Sequence, residues 1–396
     1  MDSRATWLDD TTLRVMTYRS GAFTFQVGVD LTVVQPLIDR INDAQHRFNK
    51  TPLLPTIVDQ MRERVTASSV YGTNTIEGGT FTEEETRQIL RLDPKDVQAR
   101  EAKRLTNLKQ AIEWVQQHNK KVLAPYQGQP INPHSIQHLH TLVSQGVDEA
   151  NNPTGQFRNN QKGQKTLVGN ALHGGVYRPP KCLDDILLLM QAWIDWLNHP
   201  NILSLPVLIR APLAHYYFEL IHPFWDGNGR TGRLIEMLIL EQSGYRFSSA
   251  EIWRFYQQHL HRYFSLFNAC RQSAQAKAPF SNQLFIEFFL EGMFSTINKL
   301  HDDCNFLVEI LLLKDMIRQA TADQRITPRQ AKFLNALMLI GWQKLSPSAL
   351  YRHADIQIIY ADVTERTFYR DIQKMIGQGF LVQTEQGEVG LAILDF

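Results

Sequence analysis

A chain of 396 residues carrying 41 lysines and arginines against 40 acids, hence a formal charge of +1, is long enough for two or three domains with cores of their own. The charge balance excludes a generally basic nucleic-acid binder, though not a local patch, and apolar and charged fractions of 43% and 20% exclude global disorder. The three cysteines, Cys182, Cys270 and Cys304, are scattered and form no CxxC pair, so neither a disulfide framework nor a thiolate zinc site is indicated. The opening Met-Asp-Ser-Arg-Ala-Thr-Trp has no apolar h-region, which argues against a signal peptide, and the apolar runs 186–190 and 234–240 are too short to span a bilayer. A reducing, cytoplasmic setting is the expectation.

Along the chain, a β-prone stretch at 23–29 precedes a helix-like run at 31–46. Pro52 and Pro55 interrupt the chain before a second helical stretch at 56–69. Thr82 followed three residues later by Glu85 is a capping box, because the hydroxyl can accept from an early helix N–H while the carboxylate reaches back. Helical patterns then run to Gln117, and another helix is expected from Pro133. Residues 151–180 are polar and glycine-rich, with β-leaning 166–168 and 176–177, which predicts a hairpin or flap. Helical periods return at 183–198, 206–221, 231–243, 252–274 and 282–301. From Ile326 the texture changes. Helices at 327–339, 346–354 and 364–376 precede strands at 380–382 and 389–394 around a turn at 385–387, the order of a winged helix.

The chemistry concentrates in HPFWDGNGRTGR, from His222 to Arg233, between two apolar helical runs. Gly227, Gly229 and Gly232 let backbone approach a ligand and turn N–H groups inward, and the following helix start favours an anion. Arg230 and Arg233, three apart, can project from one helical turn toward that anion. Asp226 is a hard oxygen ligand suited to Mg2+ shared with phosphate oxygens, and His222 ends the preceding helix as a candidate neutral base. A P-loop is excluded, since no GK(S/T) ending exists and a helix leads in. His134 and His138 have helical metal-pair spacing without HExxH or a third ligand, which points to a surface helix. Trp225 and the aromatics of 253–267 are expected in the core, some lining an adenine pocket.

This stretch resembles the Fic-family signature HxFx(D/E)GNGRxxR at every specified position, and the runs 214–221 and 284–290 resemble that family's flanking helices. The resemblance covers residues 52 to about 300. It implies a mainly α fold, a Fic helical core with a β-hairpin flap, preceded by a mainly helical N-terminal region and followed by a small α+β winged-helix domain. The expected boundaries are 1–105 for the N-terminal region, 106–302 for the core, 303–325 for a connecting helix and 326–396 for the winged helix. It also implies protein adenylylation: AMP moves from ATP to a Ser, Thr or Tyr hydroxyl. By the same resemblance His222 deprotonates that hydroxyl, Phe224 packs inward and holds the loop, and Asp226 binds Mg2+ bridging the α- and β-phosphates. Gly227, Asn228 and Gly229 form the anion hole, with Asn228 near the α-phosphate, and Arg230 and Arg233 hold the β- and γ-phosphates.

Thr73-Asn-Thr-Ile-Glu77-Gly78 matches the family's inhibitory pattern of Ser or Thr, three residues, Glu, then Gly or Asn. Thr73 and Glu77 share one face of a short helix, so Glu77 can pair with Arg233 in competition with the γ-phosphate. In some members this glutamate supports removal of AMP instead. The flap, framed by Gly155-Gln-Phe-Arg158 and Tyr177-Arg-Pro-Pro180, would hold a protein target by strand addition, although 164–176 departs from the family pattern. In the tail, Arg366, Arg370 and Lys374 line one side of the third helix, with Phe368, Ile372 and Met375 on the other. DNA is a weaker partner candidate for 326–396 than protein, because charge there is nearly balanced. Partners implied are protein substrates, this chain included, and a second copy in a homodimer; no membrane is implied. Two alternatives remain: a winged-helix DNA-binding regulator whose core senses nucleotide, and transfer of another phosphate-containing group such as UMP or phosphocholine.

Overall fold

Prolines and side-chain caps written into the chain mark about half of the helix starts. The computed structural model describes residues 4–121, 131–147, 152–161, 164–340 and 344–392. The expected loop before Pro133 therefore lies largely outside the described residues, as do Asn151 at the expected flap start and residues 393–394 of the expected last strand. Strands β1 (Ala5–Trp7), β2 (Leu13–Met16) and β3 (Ala22–Phe25) form an antiparallel sheet in sequence order. Only β3 is marked in the sequence. Asp30 caps α1 (Leu31–Lys50) by accepting from Thr32 N, and Pro55 opens α2 (Pro55–Ile76). The Thr82–Glu85 box opens α3 (Glu83–Ile89), α4 (Arg100–Lys121) follows, and Asn132 with Pro133 opens α5 (Pro133–Ser144). The flap is a two-stranded antiparallel hairpin, β4 (Val168–Asn170) and β5 (Gly175–Tyr177), joined by a 3-10 turn at Ala171–His173.

Next come α6 (Leu183–Leu197), α7 (Pro200–Leu203), α8 (Val207–Ile221), α9 (Asn228–Gln242), α10 (Ser248–Gln258), α11 (Leu260–Gln275) and α12 (Gln283–Ala322). Helix α8 is buried nearly all round, so it reads as apolar on every face and packs along α9 as the centre of the core. Trp193, Trp196, Tyr216, Phe218 and Trp253 are fully buried around this pair. The expected helix 252–274 is instead two helices. His259 leaves helical dihedrals at φ −115°, ψ 36°, and its ring and backbone nitrogens both engage the Phe255 carbonyl, a break that apolar periodicity does not reveal. The expected helix 282–301 continues to Ala322. Helix α2 also outruns its expected end, so Thr73 stands in the last turn of a 22-residue helix rather than on a short separate one.

The chain divides into two compact units, Met1–His301 and Asp302–Phe396. In the second, α13 (Pro328–Ile340), α14 (Pro347–Arg352), α15 (Ala354–Ile359) and α16 (Glu365–Gly377) precede the antiparallel pair β6 (Leu381–Gln383) and β7 (Val389–Leu391). Phe333, Tyr360, Phe368, Ile372 and Met375 fill its core, while Arg366, Arg370 and Lys374 are exposed. The buried Asp371 carboxylate accepts from Arg329 at 3.0 Å and Gln330 Nε2 at 2.9 Å, tying α13 to α16.

A buried carboxylate fastens the turn between β2 and β3 to the core. Asp185, in the first turn of α6 and fully buried, accepts from Tyr18 N at 2.7 Å, Arg19 N at 3.2 Å and Ser20 Oγ at 2.6 Å. Asp185→Ala leaves these donors unpaired at a cost of about 1–3 kcal/mol. The Tyr18 and Arg19 amides should then exchange hydrogen roughly ten- to hundredfold faster, with residues 302–396 unaffected. Unchanged exchange at those two amides would show that the carboxylate does not hold the turn.

Candidate active site

The turn between α8 and α9 is held by atoms that stand outside the signature as well as inside it. His222 closes α8 in the left-handed region, φ 50° and ψ 59°, donating its N–H to Phe218 O at 2.9 Å. Gly227, at φ 79°, caps α9, where a side chain would be strained. Between them Phe224 is fully buried and stacks on His140 of α5, centroids 3.7 Å apart and planes 7° from parallel. The Asn228 side chain turns inward and brackets the loop, Oδ1 accepting from Phe224 N and Nδ2 donating to Phe224 O, each at 2.9 Å. Its amide is thus committed to loop geometry, which leaves its backbone N–H as what it can offer an anion.

Two residues outside the loop complete the frame. Arg158, fully buried, donates from Nε to His222 O at 2.7 Å and from Nη2 to Pro180 O at 2.7 Å, while its backbone N–H reaches Pro223 O at 2.8 Å. It also bonds Asn160, so one guanidinium joins the turn between α8 and α9 to both ends of the flap. His140 Nδ1 accepts from Gly155 N at 3.0 Å, which fixes the proton on Nε2 for donation to Asp226 O, also at 3.0 Å. Burial, reinforced by Arg230, drives its pKa down to about 4, so the ring is neutral as that pairing requires.

Charge gathers at the start of α9. Arg230 is 5% exposed and pairs with Asp226 at 2.9 Å, whose carboxylate is 56% exposed. Burial pushes the Asp226 carboxyl up, but Arg230, the Gly227 N–H and Arg104 together outweigh it and hold it below the usual range. Arg233 is 1% exposed. It donates from Nε to Thr73 Oγ1 at 2.8 Å, from Nη1 to Tyr263 Oη at 3.2 Å and from Nη2 to Glu77. The Glu77 carboxylate also lies against Gly229, where a β-carbon would collide with it. An anion therefore rests at the N-terminus of α9, where the helix dipole favours one. Behind Arg233, Tyr263 Oη meets His215 Nε2 at 3.1 Å, His215 Nδ1 meets Glu236 at 2.9 Å, and Tyr256 Oη donates to Glu236 at 2.9 Å.

These groups open on a cavity of about 310 Å³ lined by Glu77, Glu219, His222, Gly229 and Arg233, by the flap at Val168, Asn170 and Tyr177, and by α11 at Phe264, Phe267 and Asn268. Asn268 Nδ2 donates to His173 O at 3.0 Å and Gly175 O at 2.8 Å, fastening the hairpin to α11. The structure thus gathers His222, Gly229, Arg233 and Glu77 at one cavity, with Thr73 behind Arg233 and the Asp226–Arg230 pair on the same turn. Trp225, expected in the core, is only half-buried, because it sits on the turn between the inward-facing Phe224 and Asp226. His134 and His138 stack on each other 6.3 Å apart, His138 against Trp114, and no metal-ligating cluster exists among the described residues.

Sequence reasoning missed His140, Arg158 and Glu219. His140 falls on the buried stripe Ile136, Leu139, Val143, so a lone histidine on an apolar helix face was its signal. Glu219 and His215 are polar residues one turn apart in the mostly apolar run that follows Arg210 in α8.

A mainly helical fold whose turn between α8 and α9 carries the HxFxDGNGRxxR pattern defines the class, and it is the class that comparison finds: residues 130–240 match the Fic/DOC family. Among individual proteins, the chain is similar to the protein adenylyltransferase Fic of Drosophila erecta, 33% identical over 180 residues, and to that of Drosophila ananassae, 34% identical over 180 residues. Each alignment covers 44% of this chain and 32% of the relative, so the chain spans about a third of the length of the curated relatives it matches. In fold it is similar to a Fic family protein from Desulfovibrio desulfuricans G20, TM-score 0.51 at 20% identity, over 90% of this chain and 95% of that one. A Fic domain containing signaling protein from Bacteroides thetaiotaomicron gives TM-score 0.55 at 19% identity, over 68% and 97%.

His140 supplies a pH prediction. Its folded pKa of about 4 lies below the ordinary histidine value of about 6.5, so the unfolded chain binds the extra proton between these limits. Stability contributed by neutral His140 is full above about pH 6.5 and is lost as pH falls toward 4, by at most about 3 kcal/mol. His140→Gln should flatten the acid limb of thermal stability between these limits. An unaltered limb would show that another group carries it.

Proposed function

We propose that this chain is an autoinhibited protein adenylyltransferase that moves AMP from ATP to Ser, Thr or Tyr hydroxyls of proteins, itself included. One observation carries the reading: His222 and the buried, anion-seeking Arg233 line a single cavity whose charged end is held by Glu77. The relatives' name, protein adenylyltransferase, points the same way. In this mechanism the β- and γ-phosphates take the places of Asp226 and Glu77 beside Arg230 and Arg233, and backbone N–H groups of residues 227–229 face the α-phosphate. His222 takes the proton of the incoming hydroxyl, whose oxygen bonds to the α-phosphorus while the bond to the leaving pyrophosphate breaks. Asp226 is a single exposed carboxylate beside the proposed phosphate cradle, a hard oxygen donor that would hold Mg2+. When bound there it would neutralise phosphate charge.

The carboxylate of Glu77 is the brake. It occupies the helix end and the guanidinium that ATP needs, and Thr73 fixes the guanidinium from the other side. Because Glu77 lines the cavity together with His222, removal of AMP by a water held at Glu77 is a second reading of the same carboxylate. The flap edge would hold the target segment by strand addition. We read residues 326–396 as a winged-helix docking module for protein targets, with DNA as the alternative ligand of exposed Arg366, Arg370 and Lys374. No helix among the described residues is long and apolar enough to cross a membrane.

Intact-protein mass spectrometry after incubation with ATP and Mg2+ tests the central claim. Glu77→Gly should raise AMP transfer roughly ten- to hundredfold, equivalent to about 1.4–2.8 kcal/mol of recovered transition-state stabilisation. Glu77→Gln should also release activity and Glu77→Asp less, because the shorter carboxylate still partly reaches Arg233. Arg233→Ala should cancel the gain, and His222→Ala should abolish transfer with ATP binding nearly intact. No added AMP in Glu77→Gly across several candidate targets would overturn the reading. Truncation near Ala322 in the Glu77→Gly background should retain self-modification; its loss in a folded truncation would make the tail part of the catalytic apparatus.

A further inference from the structure

The chain ends α8 in a way that turns the His222 ring back over its own last turn, toward Glu219. The left-handed dihedrals of His222 break the helical direction, and its Nδ1 comes within 3.6 Å of Glu219 Oε2. Both side chains are largely enclosed, 18% and 13% exposed. His222 Nδ1 and Glu219 Oε1 are each buried without a hydrogen-bond partner. Room for the carboxylate comes from Gly232: a β-carbon there would come within 2.8 Å of Glu219 Oε1. A buried glutamate carries a desolvation cost, which the unpartnered Nδ1 and the carboxylate edge facing it across a slightly long gap can offset by closing it. Catalytic hydrogen bonds are commonly long before substrate binds.

We propose that Glu219 is the positioning residue of His222: its carboxylate accepts the Nδ1 proton, which leaves the Nε2 lone pair to face the target hydroxyl and stabilises the imidazolium that forms when the base takes the proton. This rests on the reading of His222 as the general base. Burial pushes the Glu219 carboxyl up, yet His222, His215 and Arg233 together hold it below the usual range, so the acceptor is ionised. In the reaction the hydroxyl proton moves to Nε2 while the Nδ1 proton stays on the ring, shared with Glu219. No other group is oxidised, reduced or consumed.

The titratable and charged groups lining the cavity around His222 are Glu77 from α2, His173 and Tyr177 from the flap, Glu219 from α8, Arg233 from α9 and Tyr263 from α11. In the Glu77→Gly background Glu219 is the one carboxylate left among these. Glu219→Gln keeps the shape and removes the charge. Added to that background it should lower kcat for AMP transfer about ten- to hundredfold, the scale of a misplaced base. The KM for ATP should stay within about twofold, and the acid limb of the kcat–pH profile should move to lower pH, because the imidazolium loses its anion. Glu219→Asp should restore part of kcat.

An unchanged kcat, or a fall in kcat with a fixed acid limb and a raised KM for ATP, would overturn the proposal and make Glu219 a structural partner of Arg233. A second readout needs no turnover: side-chain nitrogen NMR of wild type should show His222 protonated on Nδ1 with Nε2 bare, and Glu219→Gln should lose that tautomer preference. Nε2 protonated in wild type overturns the proposal whatever the activity. Transfer that survives His222→Ala in the Glu77→Gly background would instead remove the base reading itself, so the two failures are distinguishable.

Discussion

A guanidinium as deeply enclosed as that of Arg233 cannot be left without an anion, and much of the site follows from this. Taking one charge out of water costs several kcal/mol, and leaving it unpaired forfeits the compensation. Tyr263 and Thr73 supply neutral acceptors from two sides. The remaining direction points at the α9 N-terminus, where Glu77 supplies the charge. Any phosphate entering there replaces a carboxylate rather than water. On the proposed reading, inhibition and substrate binding are two solutions to one electrostatic demand, and the first is built into the chain.

That exchange needs a rigid frame, since the α9 N–H groups are useful only if they keep their aim. The frame is polar but buried. Asn228 brackets Phe224, His140 bridges Gly155 to Asp226 through its single proton, and Arg158 ties the His222 and Pro180 carbonyls together. Buried networks of this kind stabilise when every member is satisfied and fail badly when one is lost. His140 remains neutral because burial disfavours its charge, so the bridge holds a fixed pattern of donor and acceptor through the ordinary pH range. The packing of α8 against α9 places this frame at the centre of the core, not on a mobile surface loop.

The turn between α8 and α9 was legible in the sequence because its residues are adjacent: His222 to Arg233 is one local string whose spacing can be read directly. Helix starts were equally legible wherever a cap or proline marks them, as at Thr82, Asn132 and Pro55. What could not be read was any partnership between distant residues. Arg158 lies 64 positions from the carbonyl it holds and His140 lies 86 from its own, and neither distance leaves a periodic trace. The split at His259 stayed hidden because the apolar rhythm passes through it unbroken. Strands of three or four residues such as β1 and β2 are too short to show alternation; they exist because the sheet lies on the core and Asp185 fastens the turn between β2 and β3.

The contact between Glu77 and Arg233 joins residues 156 positions apart in one molecule, and this tether has a thermodynamic consequence. An occupant attached to its own receptor has an effective concentration set by chain geometry, so dilution does not weaken it. In the proposed competition, nucleotide must exceed that internal concentration, scaled by relative affinity, before it displaces the carboxylate. The resting enzyme would then behave as a gauge with a built-in threshold: indifferent to how much of itself is present, responsive to how much nucleotide surrounds it, and adjustable by any contact that shifts the last turn of α2.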